Sequence, residues 1–224
     1  SYGTGAYYHD AHLYEKCASI YKSADETVLE EAESETVYRK AEKILLAKLS
    51  PIGMAEIDIY KMTQYQYESL TFYEIEFTPS YSGMGIIHEI GSIASGEIFP
   101  SGKAWICEES IVTLDLNACL GKVETQEKSK TVLSWSQIEK ILETYLKSGA
   151  INGSDQAVLT EVELLYYPTF QEAQNKLELV PVWHIYTPMS FWLENEELAE
   201  AFVANGSVWS ICVNAVSGEI VRSE

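Results

Sequence analysis

A phrase that occurs twice at one spacing constrains this chain more than its composition does. Leu116-Asn117-Ala118-Cys119-Leu120-Gly121-Lys122-Val123 stands 97 residues ahead of Val213-Asn214-Ala215-Val216-Ser217-Gly218-Glu219-Ile220, and Glu42-Lys43-Ile44-Leu45 stands the same distance ahead of Glu139-Lys140-Ile141-Leu142. Two matches in one register predict an internal duplication. In the second copy, apolar residues at Val208, Ile211, Val213 and Ala215 followed by Ser217-Gly218 predict a strand, a tight turn and an edge strand, with glycine supplying the positive φ that the turn needs.

Around those anchors the chain reads as three parts. Residues 1–33 are a Tyr-rich extended arm followed by a short helix that covers one of the domains, and Asp25 to Glu35 is an acidic lead-in or a solvated helix face. Residues 34–128 form a first α+β repeat. Val37, Ala41, Ile44, Leu45 and Leu49 recur at helical spacing, and Pro51 and Gly53 end that helix. Strands follow at 56–60 and 71–77, the second stopped by Thr78-Pro79. A Gly/Ser-rich loop then runs from Ser80 to Gly102, and a further strand from Ala104 to Leu116. Residues 129–224 form a second repeat. Ser134 and Gln137 predict a capping box, Trp135, Ile138, Ile141, Leu142 and Tyr145 predict one apolar helix face, and strands are expected at 158–167, stopped by Pro168, and at 179–186. The expected class is α+β: two tandem repeats, each a helix packed on a small antiparallel sheet.

Charge narrows the partners. A formal net charge of −19 repels phosphate backbones and anionic lipid head groups, so nucleic acid is excluded as a partner. The apolar content of 46% is too high for disorder, yet no run approaches the roughly 20 residues that span a bilayer. The four cysteines show no CxxC spacing, which disfavours a structural zinc site, and most of them are expected as buried thiols.

The second half resembles the PepSY-like domains of extracytoplasmic bacterial proteins, above all the duplicated form found in YycH/YycI-type regulators and in Gram-positive surface lipoproteins. The likeness is carried by Leu179-Val180-Pro181-Val182-Trp183, by Ile211-Cys212-Val213-Asn214-Ala215 and by Ser217-Gly218-Glu219-Ile220-Val221. It covers the second copy well and the first loosely, where Lys122 replaces the turn acid and no Pro-x-Trp occurs. The resemblance implies an extracellular, cell-surface protein tethered by a lipid or a membrane segment ahead of this chain. It also implies regulation by contact with a membrane sensor kinase or a protease. The start at Ser1-Tyr2-Gly3 reads as a mature or trimmed product.

The chemistry-bearing residues are weighed against that reading. His9 and His12, with Asp10 between them, offer two imidazoles and a carboxylate, and on a helix the two histidines would share a face suited to a divalent metal, while His88 with Glu89 would suit a general base with an acid partner. Neither has a companion nucleophile or a third ligand cluster, so surface residues are expected, with no metal, no cofactor and no catalysis. The adjacent acids Glu108-Glu109 and Glu196-Glu197 point to opposite sides of a strand and cannot flank one bond. His184 is expected to be structural. The candidate binding residues are Tyr65, Tyr67, Tyr81, His88 and Trp183, since aromatics dominate contact hot spots. The function expected is a non-catalytic contact module. The alternative is a binder of a peptide or small ligand in a cleft between the repeats, with an enzyme built on His9, His12 or His88 a third reading.

Overall fold

The computed structural model describes residues 6–21, 25–29, 31–88, 99–117, 123–124, 131–148, 161–171, 176–188 and 208–223. They fall into two compact units, one within residues 1–124 and the other within residues 125–224.

The first unit begins with strand β1 (Ala6–His9), helix α1 (Ala11–Tyr21) and strand β2 (Asp25–Leu29). Helix α2 (Glu31–Leu49) follows, starting three residues earlier than the Ser34 of the sequence reading and keeping a break there, at φ −137°. It ends where Pro51 and Gly53 predict. A single tight turn, Ser50–Ile52, closes on Gly53 at φ 96°, whose N–H donates to the Ser50 carbonyl. The chain then makes an antiparallel meander of β3 (Ile57–Tyr67), β4 (Leu70–Tyr81), β6 (Ser101–Cys107) and β7 (Ser110–Asn117), with a short β5 (Met84–Gly85) pairing the end of β4. Strand order is β1-β7-β6-β4-β3-β2.

Alternation sends Ile75, Phe77, Met62, Ala104 and Leu114 to one face, where Tyr38, Ala41, Leu45 and Leu49 of α2 complete a core. Leu45 and Leu49 are fully buried, and each is worth about 1.5–3 kcal/mol relative to exposure. Helix α1 covers part of the opposite face.

The second unit starts with helix α3 (Trp135–Lys147). Its capping box forms as Ser134 and Gln137 predict, the Ser134 backbone N–H donating to Gln137 Oε1 at 2.9 Å. Strands β8 (Glu161–Gln171), β9 (Lys176–Pro188), β10 (Val208–Asn214) and β11 (Ile220–Ser223) make a four-stranded antiparallel sheet in the order β11-β10-β9-β8. Ile138 and Leu142 of α3 pack on Ile185, Ile211 and Val213. In the β10–β11 turn, Asn214 Oδ1 accepts the N–H groups of Val216 and Ser217, both at 2.9 Å. Gly218 takes φ 78° there, and a Cβ on it would stand 2.7 Å from Ile141 Cδ1. Both reasons demand glycine.

The expectation of two tandem helix-on-small-sheet repeats is corrected. Among the described residues the protein is mostly antiparallel sheet, 52% strand against 28% helix, with a seven-stranded sheet in the first unit and three helices in all. The cause lies in the first 33 residues. Besides the short helix that covers the sheet, they supply both edge strands of the first sheet, β1 on β7 and β2 on β3. The matching phrases encode a hairpin and a helix stripe, and these local devices do not fix how many strands join a sheet. The first copy of the turn, at 118–122, lies outside the described residues.

Two prolines expected to stop strands do not. Pro168 sits within β8, an edge strand, where its missing N–H need not break the ladder. Pro79 lies beyond the stretch of β4 that pairs β6 and still opposes Ile57.

Candidate binding face on the first sheet

The face of the first sheet turned away from α2 is built by register. Across β3, β4 and β6 the rows are Tyr65–Phe72–Cys107, Thr63–Glu74–Trp105 and Lys61–Glu76–Lys103. The first row is apolar and the last is ionic, so one end of this face needs a cover and the other does not.

Helix α1 is that cover. Asp10 caps it by accepting the Leu13 N–H at 3.1 Å. Tyr14, Cys17 and Tyr21 then fall on one stripe at i, i+3 and i+7. Tyr14 and Tyr21 stack on Trp105 at 5.9 and 5.1 Å, and Tyr21 tilts against Tyr65 at 4.7 Å. The phenol oxygens of Tyr21 and Tyr65 share a hydrogen bond of 3.1 Å. Burial, reinforced by that bond and by the charge of Glu74, holds the Tyr65 phenol well above its ordinary pKa.

Past the edge of α1 the face is polar. Glu74, 8% exposed, accepts Trp105 Nε1–H at 2.8 Å and Lys103 Nζ at 2.6 Å, a charge-assisted pair that satisfies an otherwise costly buried carboxylate. Burial alone would lower the Lys103 pKa, but the bond to Glu74 and the charges of Glu74 and Glu76 outweigh it and raise it. Glu76 is held more loosely. Its Oε1 stands 3.6 Å from Lys103 and 3.8 Å from Lys61, and Tyr60 O–H reaches its Oε2 at 3.4 Å. His88 lies flat on the Tyr60 ring, centroids 3.6 Å apart and planes within 10°. Burial pushes its pKa down to about 4, so its imidazole is neutral at pH 7. Both lysine side chains remain half in solvent, at 50% and 51% exposure.

This arrangement can hold a partner through ion pairs and ring contacts. It places Glu74 and Glu76 on one side of the sheet but commits both to lysines.

The five candidate residues are not brought together. His88 lies on Tyr60, whose hydroxyl reaches Glu76 beside the open half. Tyr65 is buried beneath α1. Tyr67 pairs Leu70 at the hairpin end of β3, and its side chain lies outside the described residues. Tyr81 sits at the far end of β4, opposite Met84. Trp183 belongs to the second unit, where its Nε1–H donates to the Leu133 carbonyl at 3.1 Å and its ring meets Trp135. It packs the start of α3 onto the sheet.

Of the other candidates, His9 is in strand β1 rather than on a helix with His12, and it sits edge-on to Tyr14 at 4.5 Å. Glu108-Glu109 form a two-residue hairpin turn, both at positive φ, with Glu109 paired to Lys40 at 2.7 Å. That pairing lowers the Glu109 pKa. His184 is buried in β9, in register between Glu163 and Cys212. Glu89 and Glu196-Glu197 lie outside the described residues. An open recess of about 520 Å³ between α3 and β11, lined by Lys140, Ile141 and Tyr145 among others, gathers no catalytic group.

The residues that sequence reading missed are Glu74, Glu76, Lys61, Lys103 and Trp105. Their signal was present as opposite charges alternating with apolar residues in 57–62, 71–77 and 101–107, but only the strand register puts them side by side.

Neither a protein-family model nor a curated protein matches this chain. A solved structure does: an uncharacterized protein from Eubacterium rectale ATCC 33656, at TM-score 0.55 and 18% identity, over 82% of this chain and 55% of that one. The chain therefore spans about half the length of the protein whose fold it shares.

Proposed function

We propose that this chain is a non-catalytic module that works through contacts with a protein partner, on the outer side of a membrane, as its resemblance to extracytoplasmic regulators implies. The observation supporting it is the half-covered face of the first sheet. There Trp105, Tyr60 and His88 supply aromatic area of the kind that carries contact energy, and Lys61, Lys103 and Glu76 stand beside them as a charged rim. A net charge of −19 turns phosphate-rich partners away and favours a partner with a basic surface. The resemblance suggests a membrane kinase or protease as that partner.

The test is site-specific photo-crosslinking in the native cell. A crosslinker at position 61 or 103 should yield one adduct of defined mass, weakened by Glu76→Lys. The same group at the exposed positions 52 and 217 should yield none. Equal labelling at all four positions, or an adduct insensitive to Glu76→Lys, would remove this face as the contact surface.

A further inference from the structure

Two buried thiols share one spot in the first unit. Cys17 of α1 and Cys107 of β6 are both fully buried, in one cluster with Tyr65, Phe72 and Val112. The contacts of their neighbours place both side chains between α1 and the sheet. Cys107 follows Trp105 by two residues on a strand, so the two point to the same face, and it stands in register with Phe72. On the helix, Cys17 comes three residues after Tyr14 and four before Tyr21, on the stripe whose two tyrosines both stack on Trp105. The turn of α1 that carries Cys17 therefore lies over the Trp105–Cys107 step of β6.

We propose that Cys17 and Cys107 form a modification site, an intramolecular disulfide that staples α1 to the sheet, made by exchange with a low-molecular-weight disulfide. One cysteine thiolate attacks the small disulfide, its S–S bond breaks, and one small thiol leaves with a mixed disulfide on the protein. The second cysteine thiolate attacks the protein sulfur of that mixed disulfide and expels the second small thiol. The protein gives up two electrons and two protons, and the small disulfide takes up both as two thiols.

Both sulfurs are fully buried, so the first attack needs α1 to lift. Helix α1 has 11 residues and docks through Leu13, Tyr14, Cys17 and Tyr21. A short piece with so small a footprint opens at less cost than the whole unit. The reduced protein thus uncovers Tyr65, Phe72 and Trp105 from time to time, and the disulfide shuts that opening off. Closing the bond brings the two Cα atoms within about 7 Å.

The experiment uses the full chain and a Cys119→Ala/Cys212→Ala variant, each held in oxidised and reduced glutathione, then acid-quenched and digested without reduction. The expected result in both is a peptide joining Cys17 to Cys107 at a mass two hydrogens below the sum, with amide exchange in 11–21 slowed at least tenfold. Cys17→Ala and Cys107→Ala should instead leave a glutathione adduct on the remaining partner. The proposal is overturned if both cysteines stay open to alkylation in denaturant after oxidation, or if either links to Cys119 or Cys212 in the full chain.

Discussion

Replacing Gly102 by alanine tests the packing of the first sheet where it leaves least room. Gly102 opposes Phe77 across β4 and β6, and a Cβ built on it would stand 2.3, 2.6 and 2.8 Å from three atoms of the Phe77 ring. Real carbon contacts lie near 3.5–4.0 Å, so the ring must move by an ångström or more. It has nowhere to go, because Phe77 is fully buried in the core that α2 closes. Overpacking of this kind costs about 1–3 kcal/mol, and the immobile ring argues for the upper half of that range. For a unit of this size about 2 kcal/mol lowers the melting midpoint by roughly 8 °C. Because two units can unfold separately, the readout is amide exchange in 70–81 and 101–107 across a denaturant series. Phe77→Leu in the same chain should relieve the clash, so the double variant should be more stable than the sum of the singles predicts by at least about 1 kcal/mol. If Gly102→Ala stays within about 0.5 kcal/mol of the parent, or the two changes simply add, the placement of the ring over Gly102 is wrong.

Four further outcomes follow. Gly218→Ala meets both a positive φ and Ile141 at 2.7 Å, so it should cost the second unit about 1–3 kcal/mol by the same exchange measurement and leave 101–107 unchanged. His88 has its pKa lowered from 6.5 to about 4 by burial, so the unfolded chain takes up a proton first as pH falls. Stability should therefore drop between pH 6.5 and 4, by up to about 3 kcal/mol, and a flat profile there, or one unaltered by His88→Phe, would contradict the buried stack. Tyr65, raised above the ordinary phenol value, should make the first unit lose stability as pH rises past about 10, a loss that Tyr65→Phe should reduce in a far-ultraviolet pH titration. Lys103→Met should strip Glu74 of its ammonium partner and cost about 1–2 kcal/mol at pH 7, discounted for the solvent around the lysine, read as faster amide exchange in 101–107.

Local devices were legible in the sequence, and long-range pairings were not. The capping box at Ser134, the helix stop at Pro51-Gly53 and the Asn214 to Gly218 turn are each specified within a few residues, and short-range hydrogen bonds decide them whatever the rest of the chain does. Asp25 to Leu29 shows the opposite case. Its acids read as a helix lead-in, but Thr27 and Val28 favour a strand and β3 offers an open edge at Thr63 and Gln64, so pairing wins. The Glu108-Glu109 hairpin was hidden for another reason. Both residues hold positive φ without glycine or asparagine, so no turn signal marks them. Duplication was over-read because short phrases that specify a turn say nothing of the edges beyond it. Of the candidate face, the aromatic share was visible as Tyr65 and His88, while the ion pairs needed the registers Glu74–Trp105 and Glu76–Lys103.

The division of that face follows from the line along which α1 crosses the sheet, from Val112 on β7 to Tyr65 on β3. Its stripe ends at Tyr21, and the rows beneath it run from Phe72 to Trp105, whose indole N–H turns outward to meet Glu74. Glu74 thus sits at the rim, close enough to the aromatic cluster to be buried and close enough to solvent for Lys103 to reach it. Lengthening the covered part by one row would bury Glu76, whose contacts of 3.4–3.8 Å are too long to offset its desolvation. Shortening it would expose Phe72 and Tyr65. The boundary therefore falls where the sheet changes from apolar to ionic, and the ionic row is left as the part of this face available to another molecule.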